Sequence, residues 1–528
     1  MKATFRQSMA WLHTWSGLLV GWLLFAIFLT GTASYYRQEI SLWMRPELRM
    51  VRIAPSEAAD RAIDRLQEIG QGAWQWVIDL PTERNPTTEI VFRREPGSGP
   101  TFGRELLDPV TGKPIDVRST YGGESLYYFH FDLLVPSIWG RLIVGFCAVT
   151  MLVAIISGII THRRFFRDFF TFRPRKGQRS WLDAHNAMGV MALPYHILIT
   201  YTGIVPLLFL YMPWGVDVAY SGDRSAFLQD SGVVTTDATD ASGQAAPLAA
   251  LAPMLAAASR LWDGGQAGRI VIDHPDDAAS RVIVYRSGTE TLSHRAEGVV
   301  FNGSDGELVD AQMARSTATR FALFFYGLHL GRFAEPVLRG LLFLSGLAGT
   351  GVVATGLILW SVARRRRTIA EGRAPGFGLR TVDKLNLAAI LGLPAGIAAL
   401  FWANRLLPLD MASRADREVE CFFLAWLVVA VVLMLRPLNR AWIDGLWLNA
   451  ALFGLLPALN AVTTNRHLAD AIATGSWQRA GFDLTVLGFG VAFASTAWTL
   501  NRKVRPTAAA NLPRPATRPS PEQVELVE

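Results

Sequence analysis

Residues Trp181 to Leu210, WLDAHNAMGVMALPYHILITYTGIVPLLFL, form an apolar run long enough to cross a bilayer. Two histidines interrupt it, His185 and His196. Read as one straight helix, the eleven-residue spacing turns through about 1100°, so both side chains leave one face. A rise of 1.5 Å per residue sets them about 16 Å apart, roughly half the hydrocarbon thickness. Two imidazoles in one line at two depths suit a helix that ligates two stacked b-type haems, because neutral imidazole is an ordinary axial ligand of haem iron. The plainer alternative is a polar residue tolerated near a helix end. Buried polar groups in lipid are costly and usually functional, which favours the ligand reading for a pair on one face.

Composition agrees with a membrane setting. The chain has 528 residues, 51% of them hydrophobic, and a mean hydropathy of +0.24, as expected of an integral membrane protein with sizeable water-exposed parts. The net charge of +7 does not call for nucleic acid. The basic residues cluster just beyond apolar spans, where a topology signal belongs. The two cysteines, Cys147 and Cys421, both lie in apolar stretches. They offer no disulfide framework, no C-x-x-C pair and no cysteine-ligated iron–sulfur cluster. Of nine histidines, six lie in or beside four spans: His13, His130, His162, His185, His196 and His329.

In chain order, residues 1–36 read as a first span with Lys2 and Arg6 before it. The apolar run is too long for a signal-peptide core, so it is read as a helix with a cytoplasmic N-terminus. Residues 37–133 alternate helical and strand-like spacing and end in a strand–turn–strand at DPVTGKPIDV, a small α+β module. A second span follows at 134–162. The loop 163–180 holds seven Lys or Arg against one acid, Asp168, and is expected to be cytoplasmic. The module before it is then extracytoplasmic. After the third span (181–211), residues 212–334 repeat the module, ending in VVFNGSDGELVDA. The fourth span (335–361) leads into a basic loop (362–384) that contains Arg364 to Arg367.

The two halves are copies. An offset of 172 carries His13 to His185, Gly17 to Gly189 and Thr30-Gly31 to Thr202-Gly203. His130 and His329 stand just before the second and fourth spans, and an offset of 198 carries Ser157-Gly158 to Thr355-Gly356. This predicts a pseudo-repeated four-helix core, with the matched Gly and Thr serving close helix packing. Residues 385–503 add four more spans. The first is a worn copy of the central helix: an offset of 200 carries Asp183 to Asp383, Asn186 to Asn386 and Leu193-Pro194 to Leu393-Pro394, while Leu385 and Gly396 replace the histidines. No haem is expected there. The tail, 504–528, is Pro- and Ala-rich and reads as disordered. The fold class is an α-helical integral membrane protein of about eight transmembrane helices, with two small α+β modules inserted in a pseudo-repeated core.

The run THRRFFRDFFTFRPRKGQRSWLDAHNAMGVMALPYHILITYTG, the paired modules with D-P-x-T-G-type turns, and the YYFHFDL and YGLHLGRF approaches to the second and fourth spans resemble the PepSY-associated transmembrane family. That family includes iron-regulated inner-membrane siderophore reductases. The resemblance covers residues 1 to 365, and the extension looks like that of longer members. It implies PepSY-like modules in the periplasm and a haem-b membrane reductase that delivers electrons to a ferric siderophore.

Six histidines exceed the four ligands that two haems need. One assignment pairs His185 with His13 or His162 for the inner haem, and His196 with His329 or His130 for the outer one. The rival follows the repeat, His13 with His185 and His130 with His329, and leaves His162 and His196 over. Spare histidines would bind propionates or relay protons, and His162 beside Arg163 and Arg164 is equally an interfacial residue. Trp74, Trp76, Tyr121, Tyr127 and Tyr128 are candidate substrate contacts, with core packing the alternative. No G-x-G-x-x-G follows a strand and there is no P-loop, so the electron donor is external: a cytoplasmic reductase, a reduced flavin or membrane quinol. Two other readings stand beside the reductase. One is a non-catalytic regulator or sensor of periplasmic peptidase activity. The other is a permease for a metal complex, which lacks a continuous polar path.

Overall fold

Apolar stretches become membrane helices wherever all their backbone groups can be paired internally. In the computed structural model, which describes residues 4–51, 53–95, 101–135, 138–162, 173, 176–231, 240–293, 297–313 and 317–504, seven helices are long and apolar enough to cross a bilayer. A bent pair makes an eighth. The spans are Phe5–Ser34, Ile138–Thr161, the pair Gln178–Met191 with Leu193–Leu207, Pro336–Ala370, Phe377–Leu406, Arg414–Leu435, Leu438–Thr463 and Trp477–Arg502. The chain is a helical membrane protein. Most of the basic loop after the second span, and the tail from 505, lie outside the described residues.

The third span departs from the straight helix expected of it. It bends by 68° between Met191 and Leu193. Pro194, at the start of the second segment, has no N–H to donate, and its ring crowds the carbonyl one turn back. The first span carries Trp22 at the corresponding repeat position and runs unbroken. The fifth span accommodates Pro394 differently. A π-helical turn, Ala388–Gly392, precedes the proline, and the span continues through it.

The two modules do not fold apart. Strands β1 (Gln75–Asp79), β2 (Thr88–Arg93) and β3 (Phe102–Leu107) come from the first, and β4 (Ala267–Asp273), β5 (Arg281–Arg286), β6 (Glu297–Asn302) and β7 (Leu308–Met313) from the second. They make one antiparallel sheet in the order β3-β2-β1-β4-β5-β6-β7. The seam is β1 against β4, with Val77 opposite Val271. Arg269 donates to both Asp79 carboxylate oxygens across it, at 2.6 and 2.7 Å. The strand expected after the Thr111-Gly112 turn is reduced to a bridge between Leu107 and Pro114, whereas its counterpart in the second module is the full strand β7.

Alternation decides what each face of the sheet does. Trp76, Ile78, Ile90, Ile270, Ile272, Val282 and Val284 face helices Pro55–Ile69 and Leu251–Leu261 and form the module core with Ala62, Leu66 and Met254. The opposite face looks onto the membrane bundle. There the first span packs against the second and fourth, and the two segments of the third against the fourth and second. The C-terminal spans flank this core: Leu393, Ile397, Phe401 and Phe422 pack with Val20, Leu24 and Phe25. Asn386, where the worn copy keeps its asparagine, accepts from Trp22 Nε1 at 2.9 Å and donates to Ser361 at 3.1 Å.

Candidate functional site

Four of the six histidines meet in two pairs. His13 on the first span faces His185 on the third, with ring centres 6.1 Å apart and planes at 66°. His130, on the short helix Glu124–Asp132, faces His329, on Thr317–Leu330, at 6.0 Å and 21°. The second pair is nearer the sheet and is called outer here. Each ring is pinned through Nδ1. His13 Nδ1 lies 2.8 Å from the Ala154 carbonyl, His185 Nδ1 2.9 Å from that of Val352, and His130 Nδ1 2.8 Å from that of Ile27. A carbonyl only accepts, so Nδ1 carries the proton and Nε2 keeps its lone pair. His329 Nδ1 lies 3.1 Å from Thr202 Oγ1. That hydroxyl donates to the Leu198 carbonyl at 2.8 Å, so it accepts from His329, and the same tautomer follows.

The anchors obey the repeat. The offset of 172 that relates His13 to His185 also carries Ile27 to Ile199, whose backbone His329 meets. The offset of 198 carries Ala154 to Val352. The matched glycines have a more definite task than general helix packing. A Cβ at Gly31 would stand 2.5 Å from His130, at Gly203 2.9 Å from His329, at Gly158 3.0 Å from His13 and at Gly356 3.2 Å from His185. Each glycine seats one ring. Gly17 and Gly189 lie one turn along from the inner histidines, on the same faces. Around Gly17 an added Cβ would meet nothing within 4 Å, and at Gly189 only Val352 at 3.9 Å. Space is kept beside the inner pair.

The bend falls between His185 and His196, yet both rings meet the first and fourth spans: His196, 2% exposed, turns its ring edge-on to Phe28 at 6.3 Å and adjoins Gly349. In place of the expected His196–His329 or His196–His130 pair, the structure sets His329 and His130 against each other. His162 follows the last residue of the second span, close enough to His185 for their charges to interact.

A cavity of about 700 Å³ opens between bundle and sheet. Its deep wall is apolar: Ile27, Phe28, Val144, Met151 and Ile199, with His130, His329 and Gly203. Its roof is one cross-strand row, Glu89, Asp79, Arg269 and Tyr285, from β2, β1, β4 and β5. Arg37, Arg84, Arg141 and Arg332 also line it. The inner pair lies outside the cavity lining.

Comparison with known proteins now bears on the chain as a whole. The family model described as "PepSY-associated TM region" matches residues 10–363. The chain belongs to the PepSY-associated transmembrane family. It is also similar to an uncharacterized protein of Pseudomonas aeruginosa, 26% identical over 388 residues that cover 70% of this chain and 93% of the relative. The family match spans both histidine pairs and the whole sheet, while the four C-terminal spans lie beyond it.

What the pairs of this PepSY-associated protein suit follows from their donor sets. Among the described residues, no three His, Cys, Asp or Glu side chains converge as a metal site. A bare transition metal draws three or four protein ligands, so two opposed imidazoles match an ion whose other positions a planar macrocycle fills. Two nitrogens bonded to one such ion at about 2 Å each set the ring centres about 6 Å apart, the spacing of both pairs. Open space at Gly17 and the apolar cavity wall beside His130 and His329 suit a flat apolar body.

The aromatic residues divide by role. Trp76 is buried in the module core. Tyr121 donates to Asp416 at 2.6 Å, and Tyr128 is exposed. Tyr127 lines the cavity together with Tyr326, and each stands one turn before an outer histidine. Tyr35 and Tyr195, which line the cavity and share a hydrogen bond at 3.1 Å, and the arginines were not legible as site residues from spacing alone. The Tyr127–Tyr326 correspondence was, because it shares the offset of 199 between His130 and His329.

Proposed function

We propose that this protein is an inner-membrane di-haem b oxidoreductase that passes electrons across the bilayer to reduce a ferric siderophore outside it, in iron uptake. The observation that carries the reading is the repeated pair of facing imidazoles, each fixed through Nδ1 by a carbonyl or hydroxyl so that Nε2 keeps its lone pair. His13 and His185 would hold one haem, and His130 and His329 the other. Bound haem supplies reversible one-electron chemistry at iron.

The chain's own contribution is positioning and insulation. Nδ1 hydrogen bonds fix tautomer and ring orientation, which raises ligand basicity. The glycines let each ring approach a neighbouring helix. On the first span, His13 and Ile27, which anchors His130, are about 21 Å apart at 1.5 Å per residue, so the two levels divide the membrane thickness. The cavity then places a water-accessible chamber at the outer level, where arginine and tyrosine side chains would meet a chelate. Ferric iron binds hard-oxygen chelators far more tightly than ferrous iron does, so one-electron reduction loosens the complex. A cytoplasmic reductase, a reduced flavin or quinol supplies the electron. The basic segments after the second and fourth spans put both termini in the cytoplasm by the positive-inside rule, with the sheet in the periplasm.

The test is the visible spectrum of the purified full-length protein before and after dithionite. A reducible b-type Soret and α-band at about two haems per chain is expected, followed by reoxidation on adding a ferric chelate. A colourless preparation from haem-replete cells would remove the reductase reading and leave the membrane regulator.

A further inference from the structure

The repeat holds at every ligand, anchor and ring-seating glycine, and it fails together at three neighbouring positions. Where the first half has Leu24, Phe28 and Met151, the second has His196, Thr200 and Gly349. The apolar set shows that neither the scaffold nor an iron level needs polar groups there. His196 and Thr200 are four residues apart on one helix, hence on one face with Cβ atoms about 5–6 Å apart.

Both side chains are buried, and His196 Nε2 and Thr200 Oγ1 have no hydrogen-bond partner within the protein. The remaining ring nitrogen of His196 faces the Ser345 backbone, so Nε2 is left as an acceptor. Thr200 is unusual as well. Buried helical threonines ordinarily return their hydroxyl to the carbonyl four residues back; Thr30, Thr202, Thr350 and Thr355 all do so. Gly349 makes the room: a Cβ there would stand 2.6 Å from Phe28 and 3.2 Å from His196 Nε2. Thr200 also lines the cavity, so the position is open to water from the sheet side.

We propose that His196 and Thr200 form a buried polar site that binds one water molecule at the inner end of the cavity, and that this water, rather than iron, is what His196 holds. The water donates to His196 Nε2 and exchanges a hydrogen bond with Thr200 Oγ1, which satisfies both orphaned groups. Thr200 is one turn from Gly203, the seat of His329, so the site adjoins the outer level. Resting on the di-haem reading, a second consequence follows. Dipoles that solvate the more highly charged ferric form hold the outer potential down, and an apolar replacement raises it. His196 is here a positioning residue.

The experiment uses full-length protein in lipid nanodiscs and the other half's residue as the variant, His196→Leu, with Thr200→Val and His196→Gln beside it. With 15N-histidine labelling, the resonance lost in His196→Leu identifies His196. It is expected at the position of a hydrogen-bonded, unprotonated nitrogen, and it moves toward the bare-nitrogen position in Thr200→Val. This readout needs no haem, so it decides the water site even if the di-haem reading fails. In the haem-loaded protein, His196→Leu keeps the wild-type haem count and raises the midpoint potential of the component that His329→Ala removes, and His196→Gln restores it. A bare-nitrogen resonance in the wild type, or loss of one haem in His196→Leu, overturns the proposal. An outer potential unmoved in His196→Leu overturns the tuning role.

Discussion

An imidazole can bind iron only through a nitrogen whose lone pair is free, and the partner of the opposite nitrogen decides which one that is. At His13, His130 and His185 the partner is a backbone carbonyl on a neighbouring helix, so the choice is built into the packing. The pairing has a direct consequence. His13→Ala and His185→Ala should each remove the same spectral component, and the double variant should remove no more; His130→Ala and His329→Ala should remove the other. Glycine makes a sharper probe, because Gly→Ala in a helix is intrinsically favourable by up to about 1 kcal/mol. Gly31→Ala places a Cβ 2.5 Å from the His130 ring and should diminish the outer component alone. Gly17→Ala meets no protein atom within 4 Å and should diminish the inner component. Pigment analysis of both variants at equal expression checks this. An unaltered spectrum in Gly17→Ala would mean that the space beside the inner pair stays empty.

At the scale of elements, the same Leu-Pro dipeptide has two outcomes. In the third span it breaks the helix by 68° between His185 and His196. In the fifth, a π-turn absorbs it. The C-terminal spans attach to the core through a buried polar cluster. Arg414, fully buried, pairs with Glu418 and donates to the Ser119 carbonyl at 2.9 Å and the Asn404 carbonyl at 2.6 Å. Arg405 lies 3.8 Å over the Trp43 ring, and Trp43 Nε1 donates to Asp483 at 2.9 Å. These contacts hold the chain segments that lead into and out of the first module. Removing one partner of a buried ion pair strands the other, at a cost of about 3–5 kcal/mol, whereas an apolar replacement of both is often neutral. Arg414→Ala should therefore lower thermal stability in detergent markedly, and Arg414→Met with Glu418→Leu should recover most of it. Equal losses in the two variants would show that the cluster is not held as an ion pair.

For the whole molecule, the decisive junction is the β1–β4 seam, which joins one strand from each half at the centre of the sheet. The roof of the cavity crosses it at Asp79 and Arg269. A proline in a central strand removes a ladder hydrogen bond and is not accommodated. Val271→Pro should open the seam and unfold both modules together, seen as cooperative loss of protease resistance in both, with the outer haem component lost and the inner one kept. Retention of an intact first module would show that the two halves fold independently.

Much of this was written in the chain. Hydrophobic length determined the spans, and duplication determined that whatever one half does at His13, Gly31 and His130 the other does at His185, Gly203 and His329. The repeat even contained which histidines face each other, since each facing pair joins equivalent positions of the two halves. Periodicity could not supply the bend, because a helical wheel assumes a continuous helix and Pro194 ends that continuity. Nor could it show that two strands some 190 residues apart pair at the centre of one sheet, because strand pairing depends on which edges tertiary packing brings together. The cavity has the same origin: its walls come from six helices and four strands, and no local pattern records a volume enclosed by elements that meet only when the chain has folded.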